Sequence, residues 1–316
     1  MAKKKNDGNS INDLLGGELF TMDSGYSADI ERIPTNITRL DAALGGGMPV
    51  GKIVELFGGP NSGKSATALR LAGQAQQFGK VVYIDLENTL DPAKALNSGI
   101  DTSELLIAQP SSTEKTFELL LQIAHTDDVS LVVVDPVAAM VSEAELNGDM
   151  GDSHVGVTGR LMSQGLRKLN QIMTERDSKL IVVFINQVRD NIGVMGFGPK
   201  TVTTGGKALK FWSSVRIEVS YVGRWKQGEE IIGQDAVAKV VKNKYDPPFR
   251  SAKFSLHYVH GICNERPLIE DAVADGRLKK SGSWFKLADG TSLAQGEIAL
   301  IELLRENPDL LGVVDV

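Results

Sequence analysis

The sequence predicts an α/β protein built on a mixed, mostly parallel sheet. Continuous β-branched runs recur along the chain with helix-like patterns between them: KIVELF (52–57), VVYID (81–85), LVVVD (131–135) and LIVVFIN (180–186). Runs that are apolar at nearly every position fit strands buried on both faces. A glycine-rich loop follows the first run directly and a helix-like pattern follows the loop. This order is typical of nucleotide-binding sheets.

The second half of the chain has a different pattern. Apolar and polar residues alternate in VRIEVSYV (215–222) and DAVAKVVKNK (235–244), which predicts strands with one less buried face. The sheet is therefore expected to continue antiparallel at one side. We expect short helices around SGSWFKLADG (281–290) and a final helix over residues 295–306.

Composition divides the chain into three expected segments. Residues 1–33 are mostly polar, with scattered glycines. They are predicted to form an N-terminal arm that binds a neighbouring subunit. Residues 34–262 carry the repeated strand and helix patterns of the core. Residues 263–316 are expected to form a small C-terminal α+β domain.

The overall composition excludes several classes of protein. The single cysteine, Cys263, cannot form an internal disulfide, and the chain contains no apolar run of membrane-spanning length. The polar start MAKKKNDGNS is unlike a signal peptide, so we expect a cytoplasmic protein with no membrane partner. A net charge of -6 does not indicate nucleic-acid binding. Any DNA-binding surface must therefore be local.

A phosphate-binding loop is predicted at FGGPNSGKSA, residues 57–66. Its spacing fits GxxxxGK[ST], in which backbone N–H groups hold phosphates, the lysine reaches the terminal ones and the hydroxyl binds Mg²⁺. The alternative is a glycine-rich surface turn, which the flanking strand and helix patterns disfavour. The predicted ligand is ATP, and the residues assigned to it here are Gly58, Gly59, Pro60, Asn61, Ser62, Gly63, Lys64, Ser65 and Ala66.

Carboxylates follow two of the predicted strands. Asp135 ends LVVVD, where a nucleotide-binding sheet places a group that holds Mg²⁺, usually through water; the alternative is a turn residue. Asp85 and Glu87 lie in YIDLEN, where a carboxylate could activate the attacking water. Glu87 is the better candidate, with helix capping or a salt bridge as the alternative.

Two glycine-rich segments are predicted to be functional loops. Residues 189–207 form one of them, directly after Gln187, whose amide could touch the terminal phosphate. Residues 147–159 form the other and lead into a helix. On that helix an apolar stripe is expected at Leu161, Leu169, Ile172 and Met173. Phosphate donors are expected on another face, at Arg160, Ser163, Gln164 and Arg167, although an ordinary solvated face is the alternative.

The complete set of motifs resembles the bacterial-type RecA recombinases. The order and approximate spacing match in GGPNSGKS, YIDLENTLD, VVVDPVAAM, NGDMGDSHVG, GRLMSQGLRKL, FINQVR, TTGGKALKF and KVVKNK. The resemblance implies an ATPase that forms helical filaments on single-stranded DNA and exchanges that strand into a homologous duplex. It also implies that DNA phosphates are held by backbone N–H groups and a few arginines, so no basic excess is needed.

The resemblance further implies roles for individual residues. Lys64 and Ser65 would bind phosphates and Mg²⁺, Asp135 the metal and Asp91 the nucleotide. In catalysis, Glu87 would activate the attacking water and Gln187 would sense the terminal phosphate. Lys242 and Lys244 would reach the nucleotide of a neighbouring subunit. Phe211 would couple subunits at their interface. The DNA contacts would be Arg160, Ser163, Arg167, Arg189, Gly205, Gly206 and Lys207, with Val155 and Ile192 wedged between bases.

The chain departs from the family pattern at several positions. Lys94 stands where the family has an adenine-stacking tyrosine, and Lys207 replaces an asparagine beside DNA. Glu297 stands where relatives place a lysine that gathers duplex DNA. Lys279 and Lys280 therefore remain as the candidates for contact with duplex DNA. Two rival functions stay open here: a ring-forming helicase or repair ATPase, and a nucleotide-bound structural filament that hydrolyses nothing.

Overall fold

The computed structural model describes residues 30–149, 152, 156–190, 201–307 and 309–310. The described residues from Arg32 onward belong to one compact unit, and residues 1–29 are not described. Most of the predicted N-terminal arm therefore lies outside the described residues.

A large mixed sheet forms the core, as the sequence predicts. A short antiparallel pair, β1 (Arg32–Ile33) and β2 (Met48–Pro49), precedes it. The sheet strands are β3 (Ile53–Gly58), β4 (Lys80–Asp85), β5 (Leu105–Ala108), β6 (Val129–Asp135), β7 (Ile181–Asp190), β8 (Thr201–Thr203), β9 (Val215–Gln227), β10 (Glu230–Asn243), β11 (Ser251–His257) and β12 (Gly261–Cys263). The order is β12-β11-β10-β9-β3-β7-β6-β4-β5, with β8 paired to β7. Strands from β9 to β5 in that order run parallel, and the remaining pairs are antiparallel.

Helices cover both faces of the parallel strands. Those before and within the core are α1 (Thr38–Leu44), α2 (Lys64–Ala75), α3 (Pro92–Asn97), α4 (Thr113–Ile123), α5 (Glu143–Leu146), α6 (Val157–Glu175) and α7 (Ala208–Trp212). Alternate strand residues enter two apolar cores: Val54 and Leu56 pack with α2, whereas Ile53 packs with α4 and α6. This two-sided burial explains the continuous apolar runs, because side chains on both faces of the strand need apolar partners.

Helix α6 packs one apolar face on the sheet. The buried positions are Met162, Gly165, Leu166, Leu169 and Met173. The predicted stripe was therefore right at Leu169 and Met173, whereas Leu161 and Ile172 are only partly buried. Helices α4 and α6 approach closely at Gly165, where a Cβ atom would lie 2.4 Å from a Phe117 ring carbon.

The C-terminal segment contains a small sheet where we expected short helices. The prediction was wrong around residues 281–290, which contribute to the antiparallel strands β13 (Leu278–Ser281), β14 (Trp284–Leu287) and β15 (Ser292–Gln295). Helix α8 (Glu265–Ala274) and the final helix α9 (Glu297–Glu306) pack with this sheet. Glycine turns at Gly282 and Gly290, both with positive φ, separate short strands whose apolar residues face α8 and α9. No helix in the described part of the chain is long and apolar enough to cross a membrane.

Candidate functional site

The loop between β3 and α2 lies at the carboxyl edge of the sheet. Gly58 pairs with Gln187 of β7, and a Cβ atom at Gly58 would lie 2.0 Å from the Val219 carbonyl oxygen. Gly63 precedes α2 with a φ of 101°, in the left-handed region that favours glycine. The backbone N–H groups of the first turn of α2 therefore point toward the loop, where they can bind an anion.

Lys64 is enclosed by this loop. Its side chain folds back so that Nζ donates to the Gly59 carbonyl oxygen at 2.6 Å and to Ser62 Oγ at 3.5 Å. The residue is only 8% exposed. Burial lowers the pKa of Lys64, and the negative charge of Asp135 partly opposes that effect. An anionic ligand in the loop would favour the charged amine.

Ser65 and Asp135 meet beside the loop although 70 residues separate them. Ser65 Oγ donates to Asp135 Oδ2 at 2.8 Å, and the Tyr83 hydroxyl donates to the same oxygen at 2.6 Å. Burial raises the pKa of Asp135, and the two donors and Lys64 only partly offset this. A hydroxyl and a carboxylate are oxygen ligands of the kind Mg²⁺ prefers, and a cation would favour the ionised carboxylate. The residues present therefore fit a magnesium ion.

The structure separates the two carboxylates of YIDLEN. Asp85 is buried and accepts backbone N–H groups from Glu87, Thr89 and Leu90 at 3.3, 3.2 and 3.0 Å. It therefore orients the segment after β4. Glu87 is exposed on that segment, so of the two it is the one placed to reach a ligand or water.

A cleft of about 550 Å³ extends from the phosphate-binding loop along the sheet edge. Asp91 lines it and accepts from the Ala93 N–H at 2.9 Å, so it caps α3, and Lys94 Nζ lies 4.0 Å from Asp91 Oδ2. The lining of the cleft also includes Tyr258, which no sequence motif indicated. No local sequence pattern connects Tyr258 with the phosphate-binding loop, because the tyrosine lies well over 100 residues from the loop. Only the fold brings the two together.

Gln187 lies beside the loop at the start of the long glycine-rich segment. The Thr204 N–H donates to the Gln187 carbonyl oxygen at 3.3 Å, and β8 pairs with the end of β7. The two ends of the 191–200 segment are thus held together next to Gly58.

Comparison with known proteins identifies the family. The RecA N-terminal domain family matches residues 9–263, and the RecA C-terminal domain family matches residues 267–315. Over 301 residues the chain is 44% identical to the RecA protein of Pseudarthrobacter chlorophenolicus, covering 95% of this chain and 84% of the relative. The RecA proteins of Streptomyces rimosus (43%) and Fusobacterium nucleatum (44%) match over 95% of this chain and 79% of their own length. The chain belongs to the RecA family.

Family membership confirms the predicted fold class and the resemblance. As a RecA family member, the chain is a DNA-dependent ATPase of DNA recombination and repair. This favours the recombinase over the ring-forming helicase and over a filament that hydrolyses nothing.

The candidate DNA residues of this RecA family member lie around the start of α6. Arg160, Ser163, Gln164 and Arg167 are all exposed on one face of that helix. A Cβ atom at Gly206 would lie 3.7 Å from Gly159 Cα, so residues 205–206 pack on the first turn of α6. Lys207 follows at the start of α7, and Arg189 is exposed near the end of β7. Val155 and Ile192 lie outside the described residues.

Lys242 and Lys244 of KVVKNK lie away from the cleft of their own subunit. Lys242 Nζ donates to the carbonyl oxygens of Lys210 and Phe211, each at 3.0 Å, at the end of α7. Burial lowers the pKa of Lys242, as do the charges of Lys244 and Arg216. The Phe211 side chain is 67% exposed. Neither lysine is among the described residues that line the cleft.

Glu297 has a structural contact that accounts for its departure from the family pattern. Its carboxylate accepts from Trp225 Nε1 at 3.0 Å and lies 3.4 Å from Arg266 Nε. It therefore ties the start of α9 to β9. Lys279 and Lys280 remain exposed on β13.

Proposed function

We propose that this RecA family member binds ATP with Mg²⁺ in the 550 Å³ cleft and forms helical filaments on single-stranded DNA. The filament pairs its strand with a homologous duplex and exchanges it. The observation that carries the nucleotide assignment is the meeting of Ser65 Oγ and Asp135 Oδ2 at 2.8 Å beside the loop that encloses Lys64. A hydroxyl, a partly buried carboxylate and an ammonium at a helix start form the set of groups that a nucleoside triphosphate with Mg²⁺ requires.

Residues that line the cleft and residues next to the phosphate-binding loop have separate roles in the proposed hydrolysis. Lys64 and the N–H groups of α2 bind phosphate oxygens, and Ser65 and Asp135 would hold the metal. When bound, Mg²⁺ neutralises charge that develops on the phosphates. Glu87 accepts the proton of the attacking water, because Asp85 is committed to three backbone N–H groups. Gln187, paired with Gly58, contacts the terminal phosphate.

The nucleobase lies at the far end of the cleft in this proposal. Asp91, Lys94 and Tyr258 all line the cleft. Tyr258 takes over the stacking that Lys94 cannot provide, since an aromatic ring offers a flat face to a base and an alkyl chain does not. We therefore expect Tyr258→Ala to weaken ATP binding more than Lys94→Ala.

The ATP site is shared between neighbouring subunits. Lys242 and Lys244 lie outside their own cleft, and Phe211 is exposed beside them, so this surface can dock on the cleft side of a second copy. Each lysine then meets the terminal phosphate only after assembly, which makes hydrolysis depend on filament formation.

DNA is held by a local surface instead of a basic excess. The exposed face of α6 from Arg160 to Arg167 and the glycines at 205–206 supply phosphate contacts that do not depend on base sequence. Arg189 and Lys207 extend this surface, and Val155 and Ile192 stay predicted wedges between bases. The division at residues 33 and 262 and the cytoplasmic location also stay predictions.

Phosphate release with and without single-stranded DNA tests the proposal directly. We expect ATP turnover to rise with DNA, and electron microscopy to show helical filaments in the presence of ATP. A strand-exchange assay should succeed with homologous duplex and fail with heterologous duplex. Rings in the micrographs, or no exchange despite active hydrolysis, would favour a helicase.

A further inference from the structure

A buried carboxylate lies beneath the two groups proposed to act on phosphate. Glu55 is on β3, three residues before Gly58, and is 0% exposed. Its Oε1 accepts from Asn186 Nδ2 at 2.9 Å, and its Oε2 accepts from Arg216 Nε. Asn186 is on β7 and Arg216 is on β9, so the carboxylate joins three neighbouring parallel strands.

On one side this network holds Gln187. The Asn186 side-chain oxygen accepts from the Gln187 N–H at 2.9 Å and from the Thr204 hydroxyl. The Asn186 side-chain amide also donates to the Thr204 carbonyl oxygen at 3.0 Å. Asn186 therefore fixes Gln187 and the returning end of the long glycine-rich segment, and Glu55 in turn fixes Asn186.

On the other side the network lies next to Lys242. Arg216 is the cross-strand partner of Lys242 in β10, and its guanidinium lies 4.5 Å from the centre of the Phe57 ring. The charge of Arg216 lowers the pKa of Lys242, and the charge of Glu55 raises it. After burial and Lys244, the ion pair is therefore a further influence on the pKa of a lysine proposed to act on the neighbouring subunit.

Stability alone does not require a charged pair at this position. Both partners are almost fully buried, and well-packed apolar residues at a buried ion pair are often equally or more stabilising. What the pair supplies is directional contact to groups on two different strands.

We propose that Glu55 is a positioning residue that holds Gln187 and Lys242 in a fixed relation. This inference rests on the proposed function, in which Gln187 contacts the subunit's own nucleotide and Lys242 the neighbour's. Glu55 then links two successive ATP sites through one subunit. Its loss should weaken the dependence of hydrolysis on DNA and assembly, while nucleotide binding by the loop is spared.

Three variants and one control test this role. Glu55→Gln keeps the acceptor for Asn186 but leaves Arg216 buried without its carboxylate. Adding Arg216→Met removes that uncompensated charge and should restore the melting temperature. Thr204→Val removes only the hydroxyl that contacts Asn186. The matched control is Asp235→Asn, which breaks another buried acid–arginine pair, that of Asp235 with Arg266.

The measured quantities are the melting temperature, the affinity of the DNA-free protein for a non-hydrolysable ATP analogue, and the ratio of ATP turnover with and without single-stranded DNA. We expect this ratio to fall about 5-fold or more in all three variants, a typical size for coupling between sites. The analogue affinity should change little. The control should lose stability but keep the ratio.

Two outcomes would overturn the role of Glu55: recovery of the parental ratio along with the melting temperature in the double variant, or an equal loss in the Asp235 control. Should both Glu55 variants fail to fold, a parental ratio in Thr204→Val overturns it. Mixing subunits that lack Glu87 with subunits that lack Lys242 and Lys244 tests the shared site separately. If that mixture is active but the Glu55 variants keep the parental ratio of ATP turnover with and without DNA, only the positioning role is refuted. If the mixture is inactive, the shared site is refuted.

Discussion

Two inactive variants of this chain should recover activity when they are mixed. One variant, Glu87→Gln, keeps its lysines but cannot accept the proton from water. The other combines Lys242→Ala with Lys244→Ala and keeps its own phosphate-binding loop. The structure motivates the pairing, because Lys242 Nζ contacts the carbonyl oxygens of α7 at 3.0 Å and neither lysine lines its own cleft.

The expected size of the recovery follows from the geometry of a head-to-tail filament. Glu87→Gln alone should lower turnover by about 10² to 10⁴-fold, as is typical of a lost acid-base group. In a random mixture, a productive interface needs an intact Glu87 on one subunit and intact lysines on the next. The fraction of such interfaces is the product of the two subunit fractions, which peaks at about one quarter in an equal mixture of subunits with heterologous interfaces. Turnover should therefore rise to about a quarter of the parental rate.

The assay is ATP turnover on single-stranded DNA across mixing ratios at fixed total protein, with labelled subunits to verify co-assembly. Glu87→Gln mixed with Lys64→Ala is the matched control, since both defects lie in the same half of the site and no interface can be complete. A curve that only interpolates between the two inactive variants, despite co-assembly, would refute the shared site.

Three further predictions concern single side chains. The pKa of Asp135 is raised by burial, so its ionised form destabilises the empty fold above that pKa. Asp135→Asn should therefore raise the free energy of unfolding at pH 7, and this gain should disappear as the pH falls through the raised pKa. Denaturant titrations at several pH values check the sign of the effect. The same substitution should abolish Mg²⁺-dependent nucleotide binding. Arg167→Ala should weaken DNA binding to all sequences and flatten the salt dependence by about one unit, and an unchanged slope would make this face ordinary solvated helix. Gly165→Ala should lower stability by about 1–2 kcal/mol in thermal melts, because a Cβ atom 2.4 Å from a Phe117 ring carbon costs more than the roughly 1 kcal/mol that alanine gains in a helix.

The fold class and the family of this protein can both be predicted from its sequence. The apolar runs and the loop of residues 58–65 are local patterns, and local spacing is sufficient to predict a strand, a phosphate-binding turn and a helix. The meeting of Ser65 with Asp135 also followed from sequence. Both residues lie at the carboxyl ends of parallel strands or just after them, and such ends share one edge of the sheet.

Other features of the site follow from tertiary packing and could not be predicted from local sequence patterns. The sequence favours Glu87 over Asp85 as the group that acts on water, and the structure supplies the physical reason. Backbone N–H groups of residues 87, 89 and 90 bind Asp85, whereas Glu87 is exposed. The position of Tyr258 in the cleft, the Glu55 network and the contact of Lys242 with α7 each bring together residues that are distant in the chain. Such contacts depend on strand order and register, and these are set by packing of the whole sheet and not by any local run of residues.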